Sequence, residues 1–224
     1  MESTMLLLAG GKSSRMGVNK ALLRIGDDVN ISRVASELTK VSQNVLVITN
    51  TFDDYRFLQL PLIADVHKDH GPLGGLHAGL TASKTNLHFL TACDMPFVSA
   101  AAINEIIGNY QPAFDAVIPE INGRTQPLFA VYHKSCLPVL AECLMRQELK
   151  MSHFLDKLSV KIIKENDFKL YHDDPEYFQH LFFNMNTMED YQEAIHISQK
   201  ESHIKDGEHE LQPIKRADRH PGCD

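Results

Sequence analysis

The apolar positions of this chain fall into short continuous runs, alternating with stretches in which apolar residues recur every three or four positions. The runs at 5–8, 45–48, 62–64, 87–91, 115–119 and 160–163, and a run ending at Tyr132, predict strands, being short and rich in branched side chains. Residues 181–186 are read as a last strand. Between them, Ile31, Val34, Leu38 and Val41, with Ala35 on the same side, mark an amphipathic helix packed on a sheet. Helical spacing returns at 53–60, 76–82, 100–107 (Ile103, Ile106 and Ile107 inward), 135–150 (Leu137, Leu140 and Leu144) and 151–158. Met188, Tyr191, Ala194 and Ile195 supply the stripe of a final helix, capped by Asn186 or Thr187.

This alternation predicts an α/β protein: one Rossmann-like, three-layer α/β/α domain with a mostly parallel sheet, spanning residues 1–198. Asn122-Gly123 is a hairpin signal that interrupts the strict βα order and predicts two antiparallel strands near the ligand-binding edge. From residue 199 to 224 the apolar period stops, and a polar, charged segment with Gly and Pro is expected to be disordered.

Composition changes little in this picture. The 224 residues are 43% hydrophobic and 23% charged, as in ordinary globular chains, and the net charge of −7 argues against nucleic acid or an acidic membrane surface as partner. No apolar stretch reaches membrane-spanning length. The four cysteines, Cys93, Cys136, Cys143 and Cys223, form no CxxC pair and are expected as free thiols of a cytoplasmic protein.

The candidate chemistry begins where the first strand stops. Ala9-Gly10-Gly11 opens a small-residue loop with cations at Lys12, Arg15 and Lys20 and a further glycine at Gly17. Adjacent glycines let the backbone approach an anion closely, and local positive charge on an acidic protein suits a triphosphate. The loop is not a Walker loop, because Leu6 stands where that motif needs glycine, and adjacent Gly10 and Gly11 also break the dinucleotide fingerprint. A second glycine-rich stretch, residues 71–75, is read as a loop before a helix: a tight turn, an anion site or a close approach to a flat ligand. Asp94 ends one predicted strand and Asp65 another, at the edge where open α/β sheets bind ligands. A carboxylate beside a triphosphate suits Mg²⁺, which makes Asp94 the candidate metal ligand. His67, His70 and His77 lack the spacing of a helical zinc pair.

LLLAGGKSSRMGVNKALL at the first strand, GPLGGL, ACDMP, QPLFAVYH and the late NMNTMED together resemble the molybdenum cofactor guanylyltransferase family of MobA-like nucleotidyltransferases. The resemblance runs from the first strand to the last helix. It implies a nucleotidyltransferase fold that transfers GMP from GTP to the terminal phosphate of Mo-molybdopterin, with Mg²⁺ as cofactor and pyrophosphate as leaving group. Molybdoenzymes or other cofactor-biosynthesis proteins would be downstream partners. By the same resemblance Leu8, Ala9, Gly10, Lys20 and Asp65 contact the nucleotide, and Asp94 contacts Mg²⁺ and phosphate. Arg15 and Gly17 lie near the phosphates, with Arg15, Lys20 and Asp94 as the catalytic set. Asn184 and Asn186 face the pterin. Ile48 stands where some relatives carry asparagine, which leaves a base contact there unassigned. Cytidylyl or other nucleotidyl transfer, to molybdopterin or to a sugar or alcohol phosphate, and a non-catalytic pterin carrier stand as alternatives. A GTPase switch is disfavoured by the missing Walker context.

Overall fold

A computed structural model describes residues 2–10, 19–67 and 69–209. Lys12, Arg15 and Gly17 lie outside the described residues. The first strand, β1 (Ser3–Leu8), leads past them to a small ribbon, β2 (Arg24–Ile25) and β3 (Asp28–Val29), and to α1 (Asn30–Val41). Next come β4 (Val45–Ile48), β5 (Leu62–Ile63), α2 (Gly71–Ala82), β6 (Leu87–Ala92) and α3 (Ala100–Gly108). The remainder is β7 (Ala116–Ile121), β8 (Arg124–Thr125), β9 (Phe129–His133), α4 (Leu137–Met145), α5 (Met151–Leu155), β10 (Val160–Lys164), α6 (Lys169–Asp173), α7 (Pro175–Leu181) and α8 (Met188–His209).

The main sheet has the order β10-β7-β9-β6-β1-β4-β5, with β8 paired to β7. β1 is parallel to both β4 and β6, whereas β9 is antiparallel to β6 and β7, as the hairpin signal predicts. The chain runs outward from β1 through β4 to β5, then returns to the other side of β1 as β6. This reversal places a topological switch point between β1 and β6, where a crevice opens at the carboxyl edge.

Every residue of β1 and β6 is buried, which explains their unbroken apolar runs. Met5 and Leu7 pack with Ile31, Val34 and Leu38 of α1 and Ile103 and Ile106 of α3, while Leu6 and Leu8 pack with Leu73 and Leu76 of α2 and Leu140 of α4. The sheet is thus covered on both faces. A smaller cluster of Ile25, Phe97, Met185, Ala194 and Ile197 docks α8 against the β2–β3 ribbon.

Three segments differ from the sequence expectation. The 71–75 stretch is not a loop but the first turns of α2, which begins at Gly71. Its glycines serve contact with the sheet and its neighbours: a Cβ at Gly75 would lie 2.7 Å from Leu8 Cδ2, and one at Gly79 would lie 2.6 Å from Leu6 Cδ1. Residues 181–186 form no strand; Leu181 closes α7 and the backbone then crosses to the sheet edge, where Met185 N donates to Asp94 O at 2.8 Å. The last helix also runs beyond residue 198, to His209. Its start is capped reciprocally, with Asp190 N donating to Thr187 Oγ1 at 3.1 Å and Thr187 N to Asp190 Oδ2 at 2.7 Å.

Candidate active site

The site grows out of the end of β1. Beyond the last paired residue the ladder continues on both sides: Ala9 N donates to Ile48 O at 2.9 Å, and Cys93 N donates to Leu8 O at 3.0 Å. The backbone therefore reaches Gly10 fixed between β4 and β6, and Gly10 is exposed there; among the described residues the nearest atom to where a Cβ would stand is Ile48 O, at 4.0 Å. A cleft of about 1020 Å³ opens at this edge. Leu8, Ala9, Gly10, Lys20, Asp65 and Asp94 all line it, joined by Asn50, Thr51 and Tyr55 from the β4–β5 connection and Gly71, Pro72 and Gly75 from α2. The volume suits a nucleotide-sized ligand. Gly71 and Pro72, which open α2, line this space, and a helix amino terminus favours anions.

Asp94 follows β6 at the switch point. Burial pushes its carboxyl above the usual aspartate range, opposed by the nearby Lys20 ammonium. Asp94 Oδ1 is buried and has no hydrogen-bond partner among the described residues. Such an atom is costly unless a cation or donor completes it. Lys20 stands between two candidate regions: besides facing Asp94, its Nζ donates to Asn186 Oδ1 at 3.3 Å. Asn186 and Asn184 do not line the cleft. Asn186 joins it through Lys20, whereas Asn184 Nδ2 makes a local bond to Phe182 O at 3.0 Å.

Asp65 occupies the opposite flank, beyond β5. Its backbone N–H donates to Asn50 Oδ1 at 3.1 Å, and its Oδ1 accepts from His67 N at 2.8 Å. Desolvation raises its carboxyl, with the His67 amide and the His67, His70 and His77 rings acting in the other direction. The His67 ring meets those of His70 and His77 edge-on, at 5.5 and 5.0 Å between centroids. Among the described residues no group of three or more His, Cys, Asp or Glu side chains is placed to hold a metal ion. The Cys93 thiol beside Asp94 is pushed up to about 12 by burial and by that carboxylate.

Several residues of the site escape a reading of the sequence. Tyr55 is 2% exposed, and its hydroxyl accepts from Asn19 Nδ2 at 3.0 Å, tying the β4–β5 connection to the segment that carries Lys20. Asn19 Oδ1 also caps the short turn Lys20–Leu22 by accepting from Ala21 N at 3.1 Å. Asn30 is fully buried beneath Lys20 and Cys93. The one sequence trace of Asn30 is its place on the apolar stripe of α1, four residues before Val34 and eight before Leu38.

The family model described as the MobA-like NTP transferase domain matches residues 5–162. A protein of Clostridium perfringens named probable molybdenum cofactor guanylyltransferase is 33% identical over 84% of this chain and 94% of its own length. The molybdenum cofactor guanylyltransferase of Desulfosudis oleivorans is 34% identical over 85% of this chain and 93% of its own. Among solved structures, the molybdopterin-guanine dinucleotide biosynthesis protein A of Archaeoglobus fulgidus superposes with a TM-score of 0.76 at 25% identity, covering 88% of this chain and 99% of that one. With the strand order, the switch-point cleft and the conjunction of Gly10, Lys20 and Asp94 already in place, these matches establish that the chain belongs to the MobA-like NTP transferase family and is a nucleotidyltransferase.

Proposed function

We propose that this nucleotidyltransferase moves GMP from GTP to the terminal phosphate of molybdopterin. The observation that carries the reading is that Lys20 and the half-buried Asp94 line one cleft, sized for a nucleotide, at the β1–β6 switch point. The guanine and pterin identities come from the names borne by the relatives. In the reaction a phosphate oxygen of molybdopterin bonds to the α-phosphorus of GTP. The bond from that phosphorus to the bridging oxygen breaks, and pyrophosphate leaves. The attacking phosphate is already ionised, so no general base is needed. What the reaction needs is in-line placement and neutralisation of charge building on the leaving group.

The exposed backbone at Gly10 and the first turn of α2 grip the nucleotide, and Asp65 fixes its flank. Lys20 neutralises phosphate charge while its bond to Asn186 carries that cation toward the pterin side. The buried Oδ1 of Asp94, without a hydrogen-bond partner among the described residues, fits Mg²⁺, which when bound would supply charge neutralisation at the triphosphate oxygens. By the family resemblance Arg15, which lies outside the described residues, is a further phosphate-binding cation. The free thiols Cys93, Cys136 and Cys143 suit a cytoplasmic setting, and among the described residues no helix is long and apolar enough to cross a membrane.

The test is pyrophosphate release in the presence of molybdopterin and Mg²⁺, with GTP and CTP compared side by side. Guanylyl transfer requires GTP to be the better donor, and equal or faster turnover with CTP refutes the assignment. Asp94→Ala should abolish turnover while the far-ultraviolet spectrum stays native, because Asp94 lies at the solvent edge of the sheet. Activity within tenfold of wild type would refute its role.

A further inference from the structure

Asn30 opens α1 directly beneath the cleft, and its side chain is 0% exposed. Its Nδ2 donates to Cys93 O at 2.7 Å and, more weakly, to Lys20 O at 3.4 Å. Its backbone N–H donates to Leu23 O at 2.8 Å. Both side-chain neighbours are carbonyl oxygens, so only the NH₂ of the amide can serve them and its orientation is settled. The remaining atom, Oδ1, is buried with no partner among the described residues.

That arrangement is poor for stability. An unpaired buried carbonyl is destabilising, and an apolar side chain at this stripe position would avoid it. The two bonds that the amide does make have a particular placement. One holds the residue immediately before Asp94 and the other holds Lys20 itself, and the two lie far apart in the chain. Among the described residues a second tie runs through the segment after α7: Lys20 Nζ to Asn186 Oδ1, and Met185 N to Asp94 O. Asn186 is exposed, so the Lys20 tie competes with water, whereas the side chain of Asn30 is fully buried and its bonds are shielded on that side.

We infer that Asn30 is a positioning residue for nucleotidyl transfer, its buried amide fixing the backbone of Lys20 relative to the backbone of Asp94 so that ammonium and carboxylate meet the triphosphate in one geometry. The inference rests on the reading that Lys20 and Asp94 act on the nucleotide. Displacing reacting groups by about 1 Å costs on the order of 100-fold in rate. Asn30→Leu, similar in volume but unable to donate, should therefore lower kcat by roughly 10–100-fold while KM for GTP stays within about threefold.

A role confined to stability would lower the melting temperature and leave kcat per folded molecule unchanged. Two measurements separate the cases. In a double-mutant cycle with Lys20→Ala, the kcat loss from Asn30→Leu should shrink to less than about threefold, because the group it positions is gone. Hydrogen exchange, which needs no turnover, should show faster exchange at the amides of Cys93 and Met185 in Asn30→Leu, with the Leu6 and Leu90 amides still protected. Should Asn30→Leu fail to fold, Asn30→Ser is measured instead; one hydroxyl can hold one of the two carbonyls, and an intermediate kcat loss is expected. Unchanged kcat in a folded variant, full additivity with Lys20→Ala, or unaltered exchange at Cys93 and Met185 overturns the inference. A wild-type chain that releases no pyrophosphate while the exchange pattern changes as expected overturns the functional reading and leaves the buried tie standing.

Discussion

Replacing Gly74 by alanine sets two effects against each other. In the interior of α2 alanine is the better helix former, by about 1 kcal/mol. The added Cβ, however, would stand 2.7 Å from Asp65 Oδ2, 2.9 Å from Asp65 Oδ1 and 3.0 Å from His67 O. Carbon and oxygen need well over 3 Å, so the carboxylate must move by several tenths of an ångström. The backbone carbonyl of His67 closes one direction of escape. Moving Asp65 strains the bond its Oδ1 accepts from His67 N at 2.8 Å, a charge-assisted contact worth about 1.5–3 kcal/mol when lost outright. Overpacking adds about 1–3 kcal/mol. Against the helix gain, the expected net destabilisation is about 1–3 kcal/mol. Because Asp65 lines the cleft, KM for GTP should rise together with the loss of stability. Urea denaturation at neutral pH measures the first effect and initial-rate kinetics the second. A Gly74→Ala variant that gains about 1 kcal/mol and keeps its KM would show that helix propensity wins and that the close approach of α2 to Asp65 is unimportant.

Other perturbations probe separate parts of the molecule. Lys20→Ala should lower kcat by at least about 100-fold in steady-state assays, with the fold retained in circular dichroism; near-normal turnover would remove Lys20 from the chemistry. Tyr55→Phe deletes the acceptor for Asn19 Nδ2 and should cost about 1 kcal/mol in a denaturation titration, with a raised KM for GTP. His88 is fully buried and held neutral by desolvation, its value lowered from 6.5 to about 4. The unfolded chain therefore binds a proton that the folded chain refuses. The stability this group supports is whole above pH 6.5 and falls as pH drops toward about 4, by about 3 kcal/mol in all. His88→Gln should flatten the stability profile between pH 7 and pH 5, and an unchanged slope in urea titrations would contradict the linkage.

The strands nearest the site were legible because each is buried on both faces, so its run of apolar residues is continuous and stops sharply where the edge begins. That is why Gly10 and Asp94 can be placed at strand ends from sequence alone. The 71–75 stretch misleads because Gly, Pro and Gly at close spacing are turn signals. There the requirement that α2 approach β1 and Asp65 without a Cβ outweighs helix propensity. Residues 181–186 mislead for a different reason. Their apolarity serves several neighbourhoods: Leu181 and Phe182 join Phe178 in one cluster, at the helical spacing of three and four, while Met185 enters another. No pleat is involved.

The site itself divides along the same line. A carboxylate at a strand end is a local event, and Asp65 and Asp94 show it. Which strand ends become neighbours is decided by strand order, and that is not written at any one position. Lys20 and Asn186 are 166 residues apart, and Asn30 and Cys93 are 63 apart, so no periodicity joins either pair. A resemblance to known proteins can suggest Lys20 and Asn186, since both sit in recognisable motifs. Asn30 sits in none. Its trace is a polar side chain on the stripe that buries Val34 and Leu38, where a residue chosen for packing alone would be apolar. A buried amide there must have its donors satisfied, and the carbonyls within reach are those of Cys93 and Lys20. A break in an apolar stripe facing the carboxyl edge of a sheet is thus a place to look for the ties that hold a site together.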